Sequence, residues 1–398
     1  MTTEYNFNLK KNILFVLYND FQANSAMHVH NFANQLTLLG YDCVVAVPKN
    51  KDLADEIHQQ RLYGVTEFSE IDRLQNCFYN GTGPDIVHAW TPREVVRLYC
   101  AALGELYDFA LFVHLEDNEE HILQKYLGYA PAELIRRQIN IPADFSHPVR
   151  YREFLASAQG VTVIMERLKE FVPAHVPTLV VWPGVDARQF APGPPDRELM
   201  TRLGIPFNTT ILCYTGNVHP ANQIEVRSLY LAVALLNRKG HPTTLVRTGL
   251  DFCPFLGADD HWARQYAVEL GYVEHKLIAS LLKLAHVLVQ PGKAGAFNDY
   301  RFPSKLPEFL ATGKPVILPA SNLAHYLHSG EEAIVLPVVD ALHIVEVVEQ
   351  LAADPTLVAR LSAGAVCFAR QHLDWERNSE KLLKFYRQNL QLSANLNS

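Results

Sequence analysis

Apolar residues in this chain gather into short unbroken runs, separated by longer stretches in which they return every three or four positions. The first run, "NILFVLY" from Asn12 to Tyr18, lacks polar alternation, the pattern of a parallel strand covered on both faces. A polar loop, "NDFQANSA", leads into "MHVHNFANQLTLLG". There Val29, Phe32, Ala33 and Leu36 keep the spacing of one buried helix face, and Gly40 is placed to end it. "YDCVVAVP" reads as a second strand, so the opening segment is a strand–helix–strand unit.

The alternation continues through "DIVHAW" (Asp85 to Trp90), "FALFVH" (Phe109 to His114), "GVTVIM" (Gly160 to Met165) and "TLVVWPG" (Thr178 to Gly184). After Val185 the Pro- and Gly-rich "DARQFAPGPPDREL" has no periodicity and reads as a linker. A second series follows: "TTILCYTGN", "TTLVRTG", "HVLVQPG", "KPVILP" and "EAIVLP" as strands, with helical stretches such as "EVRSLYLAVALLNRKG" between them. Two such series predict an α/β protein of two doubly wound, Rossmann-like domains with a cleft between them.

Composition refines this only slightly. With 48% hydrophobic and 19% charged residues in 398, there is apolar material for more than one core. A net charge of −7 without a long basic block argues against nucleic acid as a partner, because phosphate backbones are held by clustered Lys and Arg. The six cysteines form no CxxC pair, and Cys43, Cys213 and Cys367 lie in apolar runs, as buried free thiols would. "MTTEYNFNLKKN" lacks the apolar core of a signal peptide and no run reaches membrane-span length, so a cytoplasmic protein is expected.

In open parallel sheets, ligands bind beyond the carboxyl ends of the strands. That rule selects the loop Asp20 to Ser25, His88 and His114 in the first domain. In the second it selects Gly216, Asn217, Gly249 and the segment after "HVLVQPG". A lone histidine at a strand end is most often satisfied by a backbone carbonyl, but two on one sheet favour a shared crevice. His28 and His30 have the wrong spacing for two ligands on one helical face and read as structural. Asp259 and Asp260 read as solvated, and no metal site is supported.

The densest chemistry lies in "RFPSKLPEFLATGKPVILP", Arg301 to Pro319. Pro303 stands where a helix would begin and Gly313 where it would end. The free amides of that first turn, helped by Lys305, would attract an anion. Glu308 follows one turn later on the face of Ser304 and Lys305, suited to accept two hydrogen bonds from a ribose diol. The plainer alternative is an acid paired with a neighbouring Arg or Lys. Phosphate beside a diol means a nucleotide.

These segments together resemble glycosyltransferase family 4, retaining enzymes of GT-B fold that use nucleotide-sugars. The likeness rests on "VVWPGVDARQFAP" (Val180 to Pro192), "LPEFLATGKPVILP" and "LGYVEHKLIASLLKLAHVLVQP". "GPDIVHAW", "DFALFVH" and the C-terminal "HLDWERNSEKLLKFYRQNL" follow the same order. The resemblance implies an acceptor-side domain at 1–186, a donor-binding domain at 187–375, and a last helix at about 376–398 crossing back to the first. Glu308 would hold the donor ribose, Ser304 and Lys305 the diphosphate, and Tyr272 and Val273 would lie beside the base. Asn24 and Ser25, with the strand-end residues Gly216 and Asn217, would complete the donor site.

His114 would stand near the reacting carbon, with Lys305 and Glu116 as further catalytic candidates and His88 and Glu116 on the acceptor side. Retention would let the leaving phosphate take the acceptor's proton, so no strong protein base is needed. No metal or cofactor is implied beyond a UDP-, GDP- or similar donor. The acceptor would be a saccharide, a lipid-linked sugar or a small molecule, the second with peripheral membrane contact.

The departures from the family are specific. "GNVHPANQIE" has Asn217 and Asn222 where an Arg and a Lys usually meet the diphosphate. Tyr300 occupies the place of the first acid, with Asp299 one residue off, and the usual Gly-Gly turn is absent. A leaving diphosphate without a cation forfeits several kcal/mol of transition-state stabilisation. Arg301, Lys305, Lys293 or His219 is therefore expected to substitute. The alternative is a catalytically degenerate GT-B protein serving as a nucleotide- or partner-binding subunit. A two-lobed solute-binding protein shares the alternation but not the nucleotide-type helix.

Overall fold

Every residue from Asn12 to Leu17 is buried, as a parallel strand covered on both faces requires. A computed structural model of the chain describes residues 12–57 and 60–396, with side chains to 391. The first sheet contains β1 (Asn12–Leu17), β2 (Asp42–Val47), β3 (Gly64–Glu67), β4 (Ile86–Trp90), β5 (Ala110–Leu115), β6 (Gly160–Val163) and β7 (Thr178–Val180). All pair in parallel, in the order β3-β2-β1-β4-β5-β6-β7. The strand order reverses between β1 and β4, the place where such sheets open a crevice at their carboxyl ends.

The second sheet repeats this plan. It comprises β8 (Thr210–Thr215), β9 (Thr243–Thr248), β10 (Ala267–Glu269), β11 (Val287–Val289), β13 (Val316–Pro319) and β14 (Ile334–Leu336). Their order is β10-β9-β8-β11-β13-β14, with the reversal between β8 and β11. A short antiparallel pair, β12 (Gly292–Lys293) with β15 (Val338–Val339), stands beside it. The chain divides into two compact units, residues up to Pro183 together with those from Trp375, and Gly184 to Asp374.

Several local expectations change. The first helix runs Asn24–Leu38, beginning three residues before the apolar period suggests, because small Ser25 and Ala26 also pack inward. The edge strands β3 and β10 are short and partly exposed, so they carry no apolar run to announce them. Cys43 and Cys213 are buried free thiols, but Cys367 is exposed. Its helix, Pro355–His372, buries Leu357, Leu361, Ala365, Phe368 and Ala369, and position 367 falls off that face. Among the described residues, no single helix is long and apolar enough to cross a membrane.

The helix Trp375–Leu396 closes the core of the first unit. Trp375 meets Phe32 edge-on at 5.2 Å, and Phe385 and Tyr386 meet Phe112 at 5.8 and 4.7 Å. Gly160 lets β6 pass beneath this helix, since a Cβ there would stand 2.7 Å from the Phe385 ring. Phe385→Ala empties that space. Denaturant unfolding is expected to show a loss of about 3 kcal/mol, the usual cost of removing a buried phenylalanine ring.

Candidate functional site

In the first unit, the carboxyl ends of β4 and β5 gather around one acid. Glu116, the residue after β5, accepts hydrogen bonds from Trp90 Nε1 at 2.7 Å, from His28 Nδ1 at 3.0 Å and from the Ser25 hydroxyl. Burial alone would raise its carboxyl, but the hydrogen bonds from His28 and Ser25, with the His28 charge, hold it down at about 2. It is an ionised hub whose oxygens are already taken. Ser25 is buried and its hydroxyl is engaged in this hub; Asn24, beside it, is exposed.

His114 lies in β5 with its ring stacked on Trp90 at 4.0 Å. Its Nδ1 is 2.8 Å from Thr162 Oγ1, while Nε2 is buried with no hydrogen-bond partner. Burial lowers its pKa to about 3, so the ring is neutral. His88 overturns its assignment to the acceptor side. It sits in the middle of β4, fully buried, with Nδ1 2.7 Å from the Tyr386 hydroxyl and Nε2 3.0 Å from Thr162 Oγ1. Both nitrogens are engaged inside the core, and no face is left for a ligand. His30 is likewise satisfied, by the Tyr63 hydroxyl at 3.0 Å.

In the second unit, the loops after β8 and β9 touch backbone to backbone. Gly249 has φ +100°, and a Cβ there would fall on the carbonyl of Gly216, so only glycine permits the approach. Asn217 and Asn222 both hold this loop. Asn217 Oδ1 accepts from the Leu250 amide at 2.8 Å, and Asn222 bonds the His219 amide and the Asn217 carbonyl, both at 2.9 Å. The Asn217 side-chain oxygen is thus engaged within the loop, while the residue itself is exposed.

Cations reach the same strand ends from another segment. Lys305 Nζ sits 3.9 Å over the Tyr214 ring and would lie 2.8 Å from a Cβ on Gly216. Arg301 stacks on Phe297 at 4.0 Å and donates to Asn298 Oδ1 at 3.0 and 3.2 Å. Asn298 in turn donates to Glu225 Oε1 at 3.0 Å and to the Lys293 carbonyl at 2.8 Å. Burial raises the Glu225 carboxyl, against the Asn298 bond and the charges of Arg301, Lys305 and Lys293. His219 is pushed down by burial and then by Arg301 and Lys305.

The Arg301 to Pro319 stretch differs from its reading in two respects. Its helix spans only Leu306–Ala311, with Pro307 rather than Pro303 in the first turn. So short a helix offers little dipole, and Ser304 is an exposed turn residue. Attraction for an anion therefore rests on side-chain charge. Glu308 is half-buried and accepts from His275 Nε2 at 2.8 Å, close to the plainer reading of a paired acid, with a histidine as partner. Tyr272 is exposed and Val273 partly so, just beyond β10. Tyr300 is buried, and Asp299 Oδ1 is covered without a hydrogen-bond partner. Among the described residues, no group of three or more His, Cys, Asp or Glu could hold a metal.

No family model matches the chain. It is 27% identical over 229 residues to the D-inositol 3-phosphate glycosyltransferase of Thermomonospora curvata, across 52% of this chain and 50% of that protein. The chain thus spans about half the length of that curated relative. Among solved structures, it resembles Anabaena HepE in complex with UDP and glucose, with a TM-score of 0.69 and 15% identity over 95% of this chain and 100% of that one. It also resembles sucrose-phosphate synthase from Thermosynechococcus elongatus, with a TM-score of 0.69 and 15% identity over 96% and 100% of the two chains. The fold is that of GT-B glycosyltransferases. Identity this low carries the fold and nothing finer.

Sequence reasoning passed over Trp90, Thr162, Glu225, His275 and Asn298. Thr162 had a signal, a hydroxyl inside the otherwise apolar "GVTVIM". The others had none, since their partners lie far along the chain.

The depressed Glu116 carboxyl makes a pH-dependent contribution to stability. A group held below its unfolded value stabilises fully above that value and loses its effect as pH falls through the folded one. Thermal unfolding of the wild type and Glu116→Gln should differ most above about pH 5, by on the order of 2 kcal/mol. The two curves should converge as pH falls toward about 2.

Proposed function

We propose that this chain is a glycosyltransferase of the family 4 type, moving a sugar from a nucleoside-diphosphate donor to an acceptor hydroxyl with retention and without a metal. The observation that carries the reading is Lys305, an amine held against Gly216 at the end of β8. Among the described residues it makes no ion pair. Arg301, Lys305 and Lys293 act on one acid, Glu225, whose pKa burial raises, and Arg301 and Lys305 also act on His219. A diphosphate is the natural counter-charge for such a group. HepE, which shares the fold, has been solved with UDP and glucose, so these are the first probes to use.

In the reaction, the bond between the sugar's anomeric carbon and the diphosphate oxygen breaks. A bond from that carbon to the acceptor oxygen forms on the same face. The acceptor's proton passes to the departing phosphate oxygen, and the nucleoside diphosphate leaves. Lys305 and Arg301 stabilise the charge that grows on the leaving group. This role removes the motive for a degenerate, non-catalytic reading, because the cations missing at Asn217 and Asn222 are supplied by other residues.

The test is thermal unfolding with UDP, GDP and ADP, with and without Mg²⁺. One diphosphate should raise the wild-type Tm regardless of Mg²⁺, and the shift should vanish in Lys305→Ala. Turnover of the matching nucleotide-sugar should fall about 100-fold in that variant. Proton NMR of the new glycosidic bond would read the anomeric outcome. No shift with any diphosphate in the wild type would sink the proposal.

Glu308 adds a pH signature. Its hydrogen bond raises the His275 pKa, so the pair is firm at low pH and is lost as pH rises through that raised value. A ribose diol must compete with His275 for the carboxylate. Nucleotide affinity measured by calorimetry should therefore rise with pH across this range, and His275→Ala should flatten the profile.

A further inference from the structure

We propose that Tyr386, His88 and Thr162 form a one-way hydrogen-bond relay that fixes His114 as its Nε2–H tautomer, a donor to a hydroxyl oxygen of the donor sugar. Tyr386 is fully buried, and among the described residues its hydroxyl has a single hydrogen-bond partner, His88 Nδ1 at 2.7 Å. A phenol shut away from water donates wherever an acceptor is in reach. His88 Nδ1 is therefore bare and its proton sits on Nε2, which donates to Thr162 Oγ1 at 3.0 Å. The threonine has one proton and one neighbour left to receive it, His114 Nδ1 at 2.8 Å. His114 then carries its own proton on Nε2.

The opposite direction is worse by one buried group. It would leave the Tyr386 O–H without an acceptor and His114 Nε2 without a donor, two orphans in place of one. Burial holds both imidazoles neutral, so neither escapes the relay by taking a second proton. The remaining orphan, His114 Nε2–H, belongs to the next-to-last residue of β5, two positions before Glu116 and stacked on that acid's donor Trp90. A buried donor kept without a partner there is reserved for a ligand oxygen. It cannot act as a general base, since its basic nitrogen is spent on Thr162. Tyr386, His88 and Thr162 are positioning residues, and only His114 would touch the substrate.

The relay rests on the glycosyltransferase reading only for the identity of the oxygen it serves. It is tested first without substrate, by long-range ¹⁵N–¹H correlation on histidine-labelled protein, with His88→Gln and His114→Gln to assign signals. Both rings should show the Nε2–H pattern at neutral pH. Tyr386→Phe and Thr162→Val should turn His114 into a tautomer mixture, and Thr162→Ser should restore it. With UDP-glucose as the probe, the first two variants should lose about tenfold in kcat with KM little changed, and Thr162→Ser should recover it. His114 found as Nδ1–H in the wild type, or unchanged in both variants, overturns the relay. A shifted tautomer with unaltered kcat overturns its sugar-facing role. Failure of the glycosyltransferase reading itself would appear separately, as no nucleotide-dependent rise in Tm.

Discussion

The hydrogen bond between Tyr386 and His88 joins residues 298 positions apart and lies at the centre of the first unit. One partner belongs to the last helix and the other to the middle of β4, so the bond closes the core across nearly the whole chain. Around it, Phe112 packs on Tyr386, the His88 ring lies against Phe15 and Trp90, and His114 stacks on Trp90. A polar contact so deep is tolerated because each member finds a partner, and the buried network then specifies ring orientations that apolar packing alone would leave free. The precision available at the end of β5 derives from this interior arrangement.

The second unit solves a different problem. Its first loop spends two asparagines on holding its own backbone, which a tight approach of Gly249 to Gly216 makes necessary. Positive charge comes instead from Lys305 and Arg301, each lying over an aromatic face. An aromatic support holds a cation in place without cancelling its charge. Burial raises the carboxyl of Glu225, on which these cations act.

Much of the architecture was legible because parallel strands buried on both faces leave unbroken apolar runs, and β1, β2, β4, β5 and β8 all did so. The edge strands β3 and β10 escaped because half-exposed strands of a few residues leave no such trace. For the candidate site, strand-end rules point to His114, Gly216 and the segment after β11, but not to the side chains that partner them. His88 was misplaced because a histidine within a buried strand and one at its end read alike in one dimension. Glu308 was expected free for a diol, and only three-dimensional contact reveals His275 beside it.

The first unit is interrupted in sequence, whereas the second is continuous from Gly184 to Asp374. During synthesis, the later unit can finish folding while the earlier one still lacks its final helix. Until Trp375 and the residues after it emerge, Phe112 and His88 have no cover on that side. Contacts between segments so far apart in sequence form late and slow the folding of the unit they complete.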